Sequence, residues 1–260
     1  MIEKRFLKPP LKQRLKSKEL TIGSWITIGH PAVAEVLAAS GFDWLAVDME
    51  HSSITVHQAQ QLIQAIELNN SVPLVRVGEN NPNIIKRVMD AGAHGVIVPM
   101  VNSREDALRA VSSVNYPPRG TRGVGLARAQ GYGFGFESYK EWLAENSVVI
   151  VQIEHIDAVC NLEDILSTKG VDAFIVGPYD LSGSLGRPGD FDHPDVASAL
   201  NKIKRTAEKM NHVSGFHVIP PDWREVEKKK AEGYRFIAFS LDTLFLGTSC
   251  KEGLKKLKKL

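Results

Sequence analysis

Cysteine is scarce in this chain of 260 residues. The only two, Cys160 and Cys250, lie far apart and form no CxxC pattern. A structural zinc site or a disulfide framework is therefore not expected, and a reducing cytosol is the expected compartment.

Long apolar runs and an excess of one charge are also missing. No uninterrupted apolar stretch approaches the roughly 20 residues that span a bilayer, and the basic N-terminal segment lacks the apolar core of a secretory signal. The formal net charge is +2, whereas nucleic-acid-binding domains carry a strongly basic face. We therefore expect a cytoplasmic protein that binds neither a membrane nor nucleic acid.

Lysine is absent from the strand-like segments. An enzyme that forms a Schiff base needs a desolvated amine on such a strand, so imine chemistry is disfavoured. The glycine-rich segment 177–186 lacks the GK[ST] ending of a P-loop, although its backbone N–H groups could hold a carboxylate.

Three apolar, strand-like segments are each followed directly by polar residues. These are Asp48, Glu50 and His51 after segment 44–47, Gln152 and Glu154 after segment 148–151, and Tyr179 and Asp180 after segment 171–176. In parallel α/β proteins, chemistry takes place just beyond the carboxyl ends of the strands. We therefore expect these side chains to meet at one rim.

Strand-like and helix-like segments alternate from Leu20 to the C-terminus and form eight β-α units. Apolar spacing predicts helices at 31–39, 56–68, 104–114 and 158–167 among others. Eight units in about 250 residues match a TIM barrel, whereas a doubly wound sheet of six strands leaves two units unexplained. We predict a single (β/α)8 barrel domain over 1–260, an α/β fold with an N-terminal extension at 1–19 and a C-terminal helix at 244–260.

Two segments, 116–138 and 177–195, show no clear periodicity and are predicted to be long loops. Loops near 20 residues are usually functional or ordered by a partner. The second follows strand six directly, which places it on the C-terminal face of the barrel. Both are expected to shape the site or an oligomer contact.

Glu154 and Asp180 end two successive predicted strands, so their carboxylates should lie side by side. Two carboxylates without a cysteine or a strong nitrogen donor suit a hard cation such as Mg²⁺ or Mn²⁺. The alternatives are two solvated loop acids, or acids that cap the helices that follow.

His51 follows a strand end and has two acids beside it. This arrangement favours a role as a general base, with one of the acids fixing the tautomer of the imidazole ring. A loop histidine that hydrogen-bonds to the backbone is the commoner role for any single histidine. His155 and His217 also lie at strand ends, so position alone does not select His51.

Arg76 lies within an apolar strand, where a charge is not normally buried. It must therefore meet an anion, either on the substrate or on the protein. A structural salt bridge with Asp48 or Glu50 is the alternative to substrate binding. Asp90, near the end of the third helix in the barrel pattern, could orient His51, but a solvated acid at a helix end is its ordinary role.

These residues fall in five motifs that resemble those of the HpcH/HpaI family of metal-dependent pyruvate aldolases. The motifs are F-D-W-(apolar)₃-D-x-E-H at 42–51, V-R at 75–76, Y-P-P-x-G-x-R-G-V-G at 116–125, V-Q-I-E at 151–154 and G-P-x-D-L-S at 177–182. They occur in the family's order, and the resemblance extends from Leu11 to about Leu254.

The resemblance implies a class II aldolase that reversibly cleaves 4-hydroxy-2-oxo acids to pyruvate and an aldehyde through a metal-stabilised enolate. It implies Mg²⁺, Mn²⁺ or Co²⁺ held by Glu154 and Asp180. His51 would be the base, acting through metal-bound water and paired with Asp90. Arg76 would hold the keto oxygen and the developing enolate.

The remaining implied roles concern substrate contacts and assembly. Gln152, Trp25 and Tyr179 would bind substrate, and Asp48 and Glu50 would support the site. The last helix would be swapped between subunits of a homo-oligomer, usually a hexamer built as a trimer of dimers.

One departure from the family bears on the substrate. After R-G-V-G, better-known members continue with R-A-S-R, whereas this chain has R-A-Q-G-Y-G-F-G-F at 128–136. In the family this loop helps to shape the aldehyde side of the pocket, so the aldehyde is not predicted.

Two alternatives to an aldolase stay open. One is an oxaloacetate decarboxylase or a carbon–carbon lyase like the citrate lyase β subunit, which would form a related enolate. The other is a non-catalytic barrel that only binds a small acid. The presence of His51, Arg76, Glu154 and Asp180 together disfavours the second, because a binding protein has little need of all four.

Overall fold

The computed structural model describes residues 9–258, and in this range eight parallel strands close into a barrel. Each strand pairs with the next along the chain, and the last pairs with the first. The strands are β1 (Thr21–Ile26), β2 (Trp44–Asp48), β3 (Val72–Arg76), β4 (Gly95–Val98), β5 (Val148–Ile153), β6 (Ala173–Val176), β7 (Ser214–Val218) and β8 (Phe236–Leu241).

Helices connect consecutive strands, and one further helix precedes β1 and one follows β8. They are α1 (Leu11–Lys16), α2 (Pro31–Ala39), α3 (Val56–Leu68), α4 (Pro82–Asp90), α5 (Arg104–Val114), α6 (Phe136–Asn146), α7 (Ile156–Cys160), α8 (Leu162–Leu166), α9 (Pro178–Ser184), α10 (Pro194–Lys209), α11 (Trp223–Ala231) and α12 (Asp242–Lys258). A 3₁₀ turn covers Arg128–Gln130. This alternation around a closed sheet confirms the predicted (β/α)8 barrel.

The interior of the barrel is filled by side chains. Trp44 stacks on Phe236 with ring centroids 4.1 Å apart. Room for the indole exists because β1 has Gly23 beside it, where a Cβ would lie only 2.0 Å from the Trp44 ring. Leu11 and Leu15 of α1 are buried in the same cluster, so this helix belongs to the core.

A second apolar layer lies between the strands and the surrounding helices. In α3, for example, Ala59, Leu62, Ile63 and Ile66 are buried at helical spacing. The helix begins with a capping box formed by Thr55 and Gln58. Burying each large aliphatic side chain contributes about 1.5–3 kcal/mol, so this layer holds the helices against the barrel and fixes the strand ends in space.

The prediction that 177–195 is a loop was wrong over α9. Pro178 occupies the first helical position and Asp180 lies in the first turn, and both favour the start of a helix. These signals outweigh Gly183 within the segment. As a result, Asp180 is carried by a short helix that directly follows β6.

Two other boundaries differ from the prediction. The helix expected at 158–167 is divided into α7 and α8 at Asn161, whose side-chain amide donates to the Asn102 carbonyl at 2.9 Å. The loop expected to reach residue 138 ends where α6 begins, at Phe136.

The ends of the chain were only partly predicted. The extension expected at 1–19 contains α1, which the sequence pattern did not identify. Residues 1–8 of that extension, and residues 259–260 of the predicted C-terminal helix, lie outside the described residues. Between residues 9 and 258, no helix has the length and apolar character needed to cross a membrane.

Candidate active site

Asp48 fixes the polar segment that follows β2. Its Oδ1 accepts hydrogen bonds from the backbone N–H groups of Glu50 at 3.0 Å and of His51 at 3.2 Å. The hydroxyl of Ser52 donates to the Asp48 carbonyl oxygen. Asp48 therefore folds the chain back on itself, in the manner of an aspartate-based turn, and positions the two side chains that come next.

Arg76 lies beside Asp48 because β2 and β3 pair in that register. Its Nε and Nη2 donate to the two oxygens of Asp48 at 2.9 and 2.6 Å, and its Nη1 is 3.3 Å from Glu50 Oε2. The salt bridge that the sequence left open is thus present. The two hydrogen bonds to Asp48 use two of the five N–H donors of the guanidinium, so three remain, and Nη1 carries two of them beside Glu50.

Burial alone would raise the pKa of Asp48. The hydrogen bonds and the charge of Arg76 outweigh that effect and hold the pKa of Asp48 below its usual value. The pair therefore stays ionised, and Arg76 is kept as a fixed positive charge at the strand ends.

Glu154 is buried just beyond β5. Its Oε1 accepts the backbone N–H of Met100 at 2.7 Å, and its Oε2 accepts the side-chain amide of Gln152. Burial raises the pKa of Glu154 to about 7, and the nearby carboxylates Glu50 and Asp180 act in the same direction. The site therefore concentrates negative charge in a place where water solvates it poorly.

Asp180 and Glu50 complete this acidic cluster. Asp180 lies in the first turn of α9, and its carboxylate has no hydrogen bond or ion pair within residues 9–258. Burial raises the pKa of Glu50 to about 7; the charge of Arg76 opposes this rise, and Asp48 and Asp180 reinforce it. Glu50 Oε2 has no hydrogen-bond partner in the described chain, although it forms the ion pair with Arg76.

This acidic cluster fits a divalent cation in its donor chemistry. Glu154 and Asp180 offer hard oxygen atoms, and a cation between them would relieve the repulsion that raises the pKa of Glu154. Across residues 9–258, no group of three or more His, Cys, Asp or Glu side chains is arranged to hold a metal alone. Mg²⁺ often takes only one or two carboxylates, the other ligands being waters and substrate oxygens.

His51 lies at the rim with its side chain 63% exposed. Its Nε2 is 3.7 Å from Glu50 Oε2. The partner expected for His51, Asp90, is bound elsewhere: Arg122 Nη2 donates to Asp90 Oδ1 at 2.6 Å. Within residues 9–258 no hydrogen bond or ion pair joins Asp90 to His51, and the predicted pair stays a prediction.

A cleft of about 600 Å³ opens between these strand ends. The residues that line it include Trp25, His51, Arg76, Gln152, Tyr179, Asp180 and His217. The Arg76 guanidinium lies 4.4 Å from the centroid of the Trp25 ring. Tyr179 is half exposed and contacts Phe191 edge to face, with centroids 4.9 Å apart.

Sequence reasoning missed two groups that shape the site. Met100 contributes only its backbone N–H, which no side-chain pattern can identify. Gly177 contributes the lack of a side chain, since a Cβ there would lie 2.8 Å from Glu154 Oε2. His217 was noted only as a histidine at a strand end, and the structure adds that it borders the cleft.

A family model described as HpcH/HpaI aldolase/citrate lyase matches residues 21–247. The chain is also 34% identical over 253 residues to the 2-keto-3-deoxy-L-rhamnonate aldolase of Escherichia coli (strain K12). That match covers 97% of this chain and 94% of the relative.

Solved structures agree with these sequence matches. An HpcH/HpaI aldolase/citrate lyase family protein from Burkholderia cenocepacia J2315 superposes with a TM-score of 0.90 at 34% identity, covering 95% of this chain and 98% of that one. The citrate synthase SbnG superposes with a TM-score of 0.85 at 29% identity, covering 96% and 98%.

Proposed function

The chain belongs to the HpcH/HpaI aldolase/citrate lyase family, and from that premise we propose that it cleaves 4-hydroxy-2-oxo acids reversibly to pyruvate and an aldehyde. Membership makes the protein a carbon–carbon lyase. The reaction breaks the C3–C4 bond, moves its electron pair into the 2-oxo group as an enolate, and removes the proton of the 4-hydroxyl as C4 becomes an aldehyde.

The observation that carries the proposal is the charge arrangement at the cleft. Arg76, His51 and Asp180 border the same cleft. Glu154, the second acid that could hold a cation, lies close enough to Asp180 for their negative charges to repel each other. Enolate formation needs positive charge near the developing oxyanion and a base near the departing proton. A barrel that only stores a small acid would need neither the acid cluster nor the base.

Each side chain has a definite task in this scheme. Arg76, held in place by Asp48, donates hydrogen bonds from its remaining N–H groups to the 2-oxo oxygen and stabilises the developing negative charge. His51 accepts the proton of the 4-hydroxyl. Gln152, Trp25 and Tyr179 form the walls that orient the substrate, and Glu50 supports Arg76.

A divalent cation, held by Glu154 and Asp180 when bound, would act as a Lewis acid toward the enolate. The carboxylate chemistry suits Mg²⁺ or Mn²⁺, and Co²⁺ is the further candidate of the family. We also propose a homo-oligomer, because α12 carries exposed leucines that a neighbouring subunit could cover. The proposed location is the cytoplasm, because the two cysteines lie far apart and offer no disulfide framework.

Pyruvate release tests this proposal. The protein would be assayed with a panel of 4-hydroxy-2-oxo acids that differ in the aldehyde half, with and without EDTA, and with oxaloacetate as a parallel substrate. We expect EDTA-sensitive pyruvate release from at least one hydroxy-oxo acid. Release from oxaloacetate alone would replace the aldolase with a decarboxylase, and no metal-dependent release from any substrate would reject the proposal.

A further inference from the structure

Two nitrogen atoms at the cleft have no hydrogen-bond partner among residues 9–258. They are Nε1 of Trp25, on β1, and Nε2 of His217, on β7, and both are buried. The two rings meet edge to face with centroids 5.6 Å apart and an interplanar angle of 63°. Both residues border the cleft that contains Arg76 and Asp180.

The hydrogen-bonding role of His217 Nε2 is determined by the other ring nitrogen. Since Nε2 has no partner within residues 9–258, we assign the proton of the neutral ring to Nδ1, the nitrogen left to interact with the Ser240 backbone. Burial lowers the pKa of His217 to about 4, and the charge of Arg76 adds to the effect. The ring is therefore neutral near pH 7, and Nε2 presents a lone pair.

Trp25 has the opposite role, because an indole N–H can only donate. Its ring is held against the Arg76 guanidinium, 4.4 Å from the ring centroid. A buried donor and a buried acceptor without partners are each unfavourable. Their placement side by side at a ligand cleft is explained if a bound group satisfies both.

We infer that Trp25 and His217 bind a hydroxyl group of the substrate, which accepts a hydrogen bond from the indole N–H and donates one to the imidazole Nε2. A carboxylate or carbonyl oxygen can accept but not donate, and an ammonium group can donate but not accept.

This inference rests on the proposed function and adds to it a hydroxyl other than the one that reacts at C4. Two parts of the substrate could supply it. The 2-oxo acid could carry it at C3, as 3-hydroxypyruvate does, or the aldehyde could carry it next to its carbonyl, as glycolaldehyde does.

The experiment measures condensation by the metal-loaded enzyme in two arms. The first compares 3-hydroxypyruvate with pyruvate, using acetaldehyde as the acceptor. The second compares glycolaldehyde with acetaldehyde, using pyruvate as the donor. In each arm the quantity of interest is the ratio of kcat/KM for the hydroxylated compound to kcat/KM for the compound without the hydroxyl.

The compounds differ in intrinsic reactivity, so the ratio in the wild type alone is not informative. The test is how much an amino-acid substitution changes this ratio. His217→Leu removes the acceptor at similar volume, and we expect it to lower the ratio at least about tenfold in one arm. Trp25→Phe, which keeps an aromatic ring under Arg76 but removes the donor, should lower the same ratio. His217→Gln, which can present an oxygen in place of Nε2, should recover part of it.

The matched control is Ile219→Val, because Ile219 borders the same cleft without a polar side-chain atom. It should leave both ratios within about a factor of two, since it removes no hydrogen bond. The arm in which the ratio falls identifies which half of the substrate carries the hydroxyl.

Unchanged ratios in His217→Leu and Trp25→Phe would overturn the inference while leaving the aldolase intact. A folded, metal-loaded wild type that condenses none of the four donor and acceptor combinations would overturn the proposed function, and this inference with it. If His217→Leu does not fold, Trp25→Phe decides by the same ratio.

Discussion

Asp48 explains why the polar side chains after β2 occur at the spacing D-x-E-H. Its carboxylate accepts the backbone N–H groups of Glu50 and His51 and also the guanidinium of Arg76. One buried acid thus positions the backbone of His51 and holds the Arg76 guanidinium in place. Charge-assisted hydrogen bonds of this kind are the stronger ones in proteins, so the geometry is set before substrate binds.

Gly177 gives the first prediction at the residue scale. A Cβ there would lie 2.8 Å from Glu154 Oε2 and 2.9 Å from Glu154 Cβ, so Gly177→Ala should push the carboxylate aside. We expect the affinity for Mn²⁺ to fall at least about tenfold, because a ligand shifted by a fraction of an ångström loses its geometry. Isothermal titration calorimetry measures this.

The control for Gly177→Ala lies on α9 itself. At Gly183 an added Cβ would meet nothing within 4 Å, so Gly183→Ala should bind Mn²⁺ like the wild type. Equal affinities in the two variants would show that Glu154 does not hold the metal in the way that we propose.

The raised pKa values of Glu50 and Glu154, each about 7, give a prediction on pH. A cation must displace the proton from Glu154, so the affinity for Mn²⁺ should rise as the pH increases from 6 to 8. Below pH 7 the change should approach about tenfold per pH unit for each proton released. Calorimetry in buffers of different ionisation enthalpy would count the protons.

The stability of the metal-free protein should also depend on pH. Because the pKa of Glu154 is higher in the folded protein than the ordinary value of 4.5, the metal-free protein should lose stability as the pH rises from about 4.5 through about 7. Glu154→Gln should reduce this loss. Binding that releases no proton, with stability independent of pH in both proteins, would contradict the assignment.

At the scale of elements, apolar spacing predicted the bounds of α2, α3 and α5, since their buried faces repeat at the helical period. It failed where local and tertiary contacts compete with spacing. Asn161 divides one expected helix, and Pro178 begins another inside an expected loop. The strand ends that carry acids were predicted, because apolar runs that stop at polar residues are visible in the sequence.

The contacts that Met100 and Arg122 make between elements could not be predicted from the sequence. The N–H of Met100 reaches Glu154 only because β4 and β5 are neighbours. Arg122, in the segment expected to be a loop, is buried against Tyr116 and Tyr139 and bonds to Asp90 at the end of α4. No spacing rule links residues so far apart in the chain.

Arg122 and Asp90 therefore give a prediction about how this segment is held. Arg122 is only 2% exposed, and Asp90→Ala would remove the carboxylate that pairs with its guanidinium. We expect a loss of roughly 3 kcal/mol in the free energy of unfolding, because a buried charge without its partner is strongly destabilising. Urea denaturation measures it.

The control is Glu137→Ala, which breaks an exposed ion pair with Lys140 and should cost less than about 1 kcal/mol. If Asp90→Ala were as stable as this control, the Arg122 pair would not hold the segment. If Asp90→Ala is destabilised, a loss of activity in this variant would not by itself show that Asp90 is catalytic, because the structural change could cause it.

At the scale of the whole molecule, α12 packs against the barrel near its start and is exposed further along. Phe245 contacts Phe42 and Phe239, with ring centroids 6.2 and 5.1 Å apart. Further along, Leu254 and Leu257 are 52% and 82% exposed. The proposed oligomer would cover part of this apolar surface.

Two truncations test that proposal. Deleting residues 244–260 should dissociate the oligomer, because it removes nearly all of α12, whereas deleting residues 255–260 should leave the assembly unchanged. Light scattering gives the mass of each protein. A full-size oligomer after the longer deletion, or a monomeric wild type, would contradict the proposed role of α12.

The proposed metal site is tested by the dependence of pyruvate release on Mn²⁺ in three metal-stripped proteins: wild type, Glu154→Gln and Asp180→Asn. We expect added Mn²⁺ to restore activity to the wild type along a saturable curve. Both variants, folded as judged by circular dichroism, should need far more Mn²⁺ or stay inactive. Full activity in the metal-stripped wild type, or variants that respond to Mn²⁺ as the wild type does, would contradict the proposed metal site.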